Sequence, residues 1–173
     1  MDRRNKKTSY IAKGGLFIAL GVILVYLSSV VPINKLYLLG IASTIIPLSV
    51  ITTNIQNALT VYFATSILSL FISASKVTAI SYIIFFGLYG IAKYYIEKIR
   101  KLYVEIILKL CFFNIVIFIS FYIYKTFFLG FISINMPIHL LIIASEIAFL
   151  IYDYALTLII NHANNYFIKR LNL

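Results

Sequence analysis

Residues 104–129 read VEIILKLCFFNIVIFISFYIYKTFFL, and between Lys109 and Lys125 no residue carries a charge. A run of this length has no turn signal of the Gly or Pro kind to fold it into strands. As a helix it is long enough to cross the hydrocarbon core of a bilayer, which takes about 20 apolar residues. In water the same helix would be apolar on every side, and no soluble domain of 173 residues has the interior to hide several of them. The stretch therefore predicts a membrane-spanning helix.

Working outward, five further segments read the same way. They are 9–31, 36–53, 55–73, 77–96 and 138–161, giving six spans with that at 104–129. Pro32, Ile33, Asn34 and Lys35 mark the end of the first. Only the polar cluster Thr52-Thr53-Asn54-Ile55-Gln56-Asn57 separates the second from the third, and it reads either as a tight turn or as a polar break buried in protein. Pro47 lies within the second span, where a membrane helix tolerates a kink. Gly87 and Gly90 in the fourth predict close helix packing. The whole chain agrees with this pattern: 62% of residues are hydrophobic and 12% charged, against about 25% charged in a soluble domain. The expected fold is all-α, an integral membrane protein of six transmembrane helices forming one domain over residues 1–173.

Fifteen Lys and Arg oppose five Asp and Glu, for a net charge of +10. The cations gather in three places: Arg3, Arg4, Lys6 and Lys7; Lys93, Lys98, Arg100 and Lys101; and Lys169 and Arg170. Lys and Arg concentrate in cytoplasmic loops. Six crossings put all three groups on that side, so both termini are expected in the cytoplasm. The opposite loops carry Lys35, Lys76 and Lys125. A basic stripe on a soluble surface, which nucleic-acid binding needs, is not part of this pattern, so no nucleic acid is expected as a partner; the lipid bilayer is. The basic N-terminus precedes an apolar run too long for a signal peptide and without a clear cleavage site, so it is read as a retained first helix.

Ionisable groups inside a span are costly and draw attention first. Glu146 and Asp153 lie seven residues apart, on one helical face. Asp153 has a natural partner in Lys109, at comparable depth on an antiparallel neighbour, and the two are expected to form a structural ion pair. Glu105 and Lys109, four apart, can also pair along their helix. Lys13, Lys93 and Glu105 lie near helix ends, where side chains snorkel to the interface. Asn114 is read as a bridge between helices. Glu146 has no cation on its own helix and is a candidate ligand contact. A polar outer rim of Asn34, Lys35, Tyr37, Lys76, Tyr82, Asn135 and His139 is a candidate substrate entrance, its plainer reading being interfacial anchoring. Ala12, Gly15 and Ala19 form a small-residue face on the first helix, fit for close helix packing within the chain or against a partner.

Catalytic signatures are missing. The chain holds no GxxxxGK[ST], HExxH, GxSxG or CxxC, so neither a P-loop ATPase nor a familiar hydrolase is expected. Cys111 stands alone, and His139 and His162 are too far apart to share a metal. No enzyme activity, cofactor or metal is expected.

The small-residue face of the first helix, with 39-LGIAS-43, 64-ATSILS-69 and 85-FFGLYG-90, resembles the substrate-binding S component of energy-coupling factor transporters over essentially the whole chain. Lys13 and the Gly14-Gly15 pair depart from that family's alanine-rich docking helix. The resemblance implies a multi-pass subunit of a bacterial plasma membrane that binds a small molecule, a vitamin or other micronutrient, from outside. It implies as partners a membrane coupling subunit and two ATPase subunits that supply the energy. The polar residues Asn34, Lys76, Tyr82, Asn135, His139 and Glu146 are the candidates for substrate contact, while the resemblance would give Ala12, Gly15 and Ala19 to docking. Two other classes compete: a non-transporting scaffold of the cell-envelope or rod-shape kind, for which the lack of chemistry argues, and a small ion-coupled carrier or intramembrane enzyme using Glu146 and Asp153.

Overall fold

The computed structural model describes residues 3–127 and 138–171. Every regular element among them is helical: α1 (Arg3–Val30), α2 (Lys35–Thr52), α3 (Ile55–Ile72), α4 (Lys76–Ser81), a π-helical segment (Tyr82–Gly87), α5 (Leu88–Glu97), α6 (Leu102–Phe127) and α7 (Ile138–Leu171). α4, the π segment and α5 run on without a break. Six helices are thus long and apolar enough to cross a membrane: Lys7–Val30, Lys35–Thr52, Ile55–Ile72, Lys76–Glu97, Leu102–Ile123 and Ile142–Tyr166.

The sequence reading places each of these six. It stops the last one too early, at residue 161, because Asn161, His162, Asn164 and Asn165 look like the end of an apolar run. α7 continues to Leu171. Its last turns contain neither Gly nor Pro, and polar side chains on an exposed helix do not break its internal hydrogen bonds. The cluster at 52–57 is a tight turn. Asn54 caps α3, its side chain accepting from the Asn57 N–H at 2.8 Å. The Asn57 amide in turn donates to the Tyr10 carbonyl of α1 at 3.0 Å.

The chain divides into two compact units, residues 1–95 with 159–173 and residues 96–158. In the first, α1, α2 and α3 pack on one another, and α2 also packs on the π segment. The contact faces are small. A Cβ on Gly21 would lie 2.9 Å from the Thr65 methyl of α3, and one on Gly87 would lie 2.9 Å from the Tyr62 ring. At both glycines a neighbouring side chain fills the space that a Cβ would need. Tyr62 also donates its hydroxyl to the Ile83 carbonyl at 2.9 Å, within the π segment, where the widened turn disturbs the usual hydrogen bonding.

α3 shows what kind of interior this is. Its buried positions are Ala58, Val61, Tyr62, Thr65, Ser66 and Ser69. Phe63, Ile67, Leu68, Leu70, Phe71 and Ile72 are exposed, Phe71 at 80%. Small and hydroxyl-bearing residues face in and large apolar ones face out, the reverse of a soluble amphipathic helix.

The second unit contains an antiparallel pairing of α6 with α7. The Phe113 and Phe149 rings stack with centroids 4.4 Å apart and planes 8° apart. Lys109, one turn before Phe113, meets Asp153, one turn after Phe149. Each step back along α6 is thus matched by a step forward along α7, and Val116, Phe149 and Leu156 are buried.

Candidate functional site

The α6–α7 face carries the densest set of charged and hydrogen-bonding side chains among the described residues. Lys109 is buried, its side chain 7% exposed, with Nζ 2.8 Å from Asp153 Oδ2 and 3.0 Å from Glu97 Oε1. Spacing puts this lysine on the inner face of α6 with Phe113 and Val116. Asp153 shares the facing side of α7 with Glu146, Phe149 and Leu156. A lysine ammonium has three donors and no acceptor, so two carboxylates meet most of its needs.

Glu97 is the member that sequence reasoning overlooked. It ends α5, and the short turn at residues 98–101 brings it back to Lys109. Arg100 takes a left-handed backbone conformation in that turn, with φ 57°, and its N–H donates to the Glu97 carbonyl at 3.3 Å. The available signal was scarcity: with only five acidic residues in the chain, one beside an apolar span needs a partner. Lys109 takes Glu97 and Asp153 and not Glu105, because Glu105 begins α6 on a less buried side while the other two converge on the inner face.

About two turns from Asp153 along α7, Glu146 Oε1 accepts from Asn114 Nδ2 at 3.1 Å. The same amide donates to the Leu110 carbonyl at 3.0 Å. Asn114 therefore bridges α6 to α7. Asn114 is the one hydrogen-bond partner of the Glu146 side chain among the described residues, and it is neutral.

The rim residues differ in exposure. Asn34 is exposed in the α1–α2 turn with a left-handed φ of 66°, and its side chain makes no cap hydrogen bond. Lys35 and Tyr37 are exposed as well. Lys76 is exposed, and its Nζ donates to the Leu70 carbonyl at 2.6 Å near the end of α3. Tyr82 corrects the expectation: it is fully buried. It opens the π segment and faces the protein interior, which its place six residues into the span did not reveal. Lys93 corrects another. It is 1% exposed and so does not snorkel. Asn135 lies outside the described residues. His139 lies in the first turn of α7, with its side chain outside them.

α1 has two distinct faces. Gly14, Gly21, Val25 and Ser28 are buried in the packing with the rest of the chain. Ala12, Gly15 and Ala19 are exposed, and a Cβ built on Gly15 would meet nothing within 4 Å. The small-residue face that the sequence singles out is thus exposed among the described residues, while a different pair of glycines, Gly14 and Gly21, serves packing within the first unit.

Buried hydroxyls complete the picture. Ser28, Ser29 and Ser43 donate to backbone carbonyls, as do the half-buried Thr52 and Thr53. Ser49, Thr65, Ser69 and Ser73 have no hydrogen-bond partner among the described residues. No family model, no curated protein and no solved structure matches this chain.

Proposed function

We propose that the chain is a multi-pass integral membrane protein, with both termini in the cytoplasm, that acts as the substrate-binding subunit of an energy-coupling-factor-type importer for a vitamin or other micronutrient. The inverted polarity of α3 supports membrane insertion, since exposed Phe71 and Ile67 favour lipid over water. The three basic clusters fall on one side of a six-helix path, which supports the orientation.

The observation that carries the importer reading is the unoccupied small-residue face of α1. Ala12, Gly15 and Ala19 are exposed among the described residues. Small residues on a membrane helix let a second helix approach closely, and lipid gains little from them. A subunit that delegates energy coupling to a membrane partner needs such a face. The chain itself contains no nucleotide-binding motif, in keeping with that division of labour.

The test is affinity purification of the full chain from native membranes in mild detergent. A membrane coupling subunit and two ATPases should co-purify with the wild-type chain. Gly15→Leu, which fills no internal space, should abolish that association and leave the chain folded. Mass spectrometry of the purified wild type should detect a bound small molecule. If Gly15→Leu has no effect on partner recovery, or if no such partner is recovered at all, the reading fails. A cell-shape defect with normal uptake after deletion would favour a scaffold instead.

A further inference from the structure

The turn at residues 98–101 joins α5 to α6 and lies within the second unit. It reads Lys98-Ile99-Arg100-Lys101 and runs on into Leu102 and Tyr103. Arg100 holds a left-handed φ of 57°, a conformation that a helix end usually gives to glycine because a Cβ is costly there. The end of α5 closes all the same, with the Ile99 N–H on the Ile96 carbonyl at 3.1 Å and the Arg100 N–H on the Glu97 carbonyl at 3.3 Å. Three cations thus share one tight turn, their Cα atoms at most about 11 Å apart along the chain. A costly backbone state kept at a charged residue points to a task for its side chain.

The side chains of Lys98, Arg100 and Lys101 are exposed, and none makes a hydrogen bond or ion pair among the described residues. Lys76 differs, since its ammonium donates to the Leu70 carbonyl at 2.6 Å. The two carboxylates nearest in sequence do not neutralise the turn. Glu97 accepts from Lys109 at 3.0 Å, and Glu105 is half-buried in the first turn of α6 with no ion pair to any of the three.

Apolar side chains are interleaved with the charges. Ile99 is 42% exposed, Leu102 68% and Tyr103 83%. A free phosphate or an acidic protein loop would use the cations and leave these groups in water. A lipid uses both, with an anionic headgroup for the cations and acyl chains for the apolar residues. Tyrosine is at home on that boundary, and an anionic leaflet attracts Lys and Arg clustered beside a span. The guanidinium adds a fork that fits phosphate oxygens in pairs.

We propose that Lys98, Arg100 and Lys101 bind the phosphate headgroup of an anionic phospholipid, with its acyl chains against Ile99, Leu102 and Tyr103. The proposal rests on the reading of the chain as a membrane protein, and its test separates the two.

The chain contains no tryptophan, so Tyr103→Trp places a single fluorophore beside the turn. The full chain carrying it is reconstituted in vesicles of phosphatidylcholine and phosphatidylglycerol in equal parts, with one lipid or the other brominated on its acyl chains to quench on contact. Brominated phosphatidylglycerol should be preferred by about fivefold or more, the value of one Lys or Arg beside an anionic surface. Lys98→Gln with Arg100→Gln and Lys101→Gln should bring the preference close to unity, and Lys98→Arg with Lys101→Arg should keep it. Arg100→Gly alone should lower the preference without lowering the thermal midpoint, because glycine suits the left-handed backbone; loss of a merely structural arginine would not move lipid preference. A preference untouched by the triple substitution overturns the proposal. So does inorganic phosphate that erases the preference where chloride at the same ionic strength does not, since the turn then belongs to a soluble phosphate. Equal quenching by the two lipids overturns the proposal and leaves the membrane reading standing, whereas quenching by neither sinks both.

Discussion

Lys109 has carboxylate oxygens at 2.8 and 3.0 Å and almost no access to solvent, so its removal takes a close cation from two acids at once. Breaking a buried pair from one side costs about 3–5 kcal/mol, because the remaining charge keeps its desolvation penalty. Glu97 is 32% exposed and relaxes partly into solvent, so the loss for Lys109→Met is expected at the low end, about 3 kcal/mol. Thermal unfolding in a fixed detergent reads this as a large drop in midpoint. The companion variant Lys109→Met with Asp153→Leu and Glu97→Gln should regain most of the loss, since apolar groups of similar size replace buried ion pairs at little cost. A triple variant no better than the single one would show that these residues do more than satisfy each other.

At the scale of elements, α1 offers a direct contrast. Gly21→Leu drives a side chain into Thr65 and Ile45, and overpacking of this kind costs about 1–3 kcal/mol or more. Gly15→Leu meets open space and should leave the unfolding midpoint within a degree or two of wild type. Equal destabilisation by the two would mean that the two faces of α1 are not distinct. The π segment gives a second prediction. Tyr62→Phe withdraws the hydroxyl from the Ile83 carbonyl, and an abandoned buried acceptor costs about 1–3 kcal/mol. The midpoint should fall, with far-ultraviolet helical signal retained.

For the whole molecule, the six long apolar helices predict that the chain stays in the membrane pellet after an alkaline wash and leaves it only with detergent. Reporter fusions at the two termini should both score as cytoplasmic. Opposite sides for the two ends would require an odd number of crossings and break the charge argument built on Arg3, Lys98 and Lys169.

The six helices were legible in the sequence because a bilayer imposes a length and a composition on every crossing. The helix Leu102–Ile123 meets both, and so does each of the other five. The pairing of Asp153 with Lys109 was within reach of the same reasoning, since depth along two antiparallel helices is countable from their ends. Rotation about a helix axis is not countable when apolar residues surround it. So Tyr82 at the rim and Lys93 at the interface were reasonable readings of depth, and both side chains are turned inward instead. Glu97 escaped because its contact with Lys109 depends on how tightly the turn at Arg100 closes.

By itself, then, the sequence determined that the chain is helical, how many long apolar rods it contains and where they begin. These follow from local hydrophobicity, which each segment carries alone. Only the tertiary structure decided which face of each rod meets another: Gly21 inward and Gly15 outward, Asp153 matched and Glu146 not. In helices whose apolar residues lie all round, facing is set by close contact between small residues and by a few polar pairs, and such contacts exist only once two helices have met.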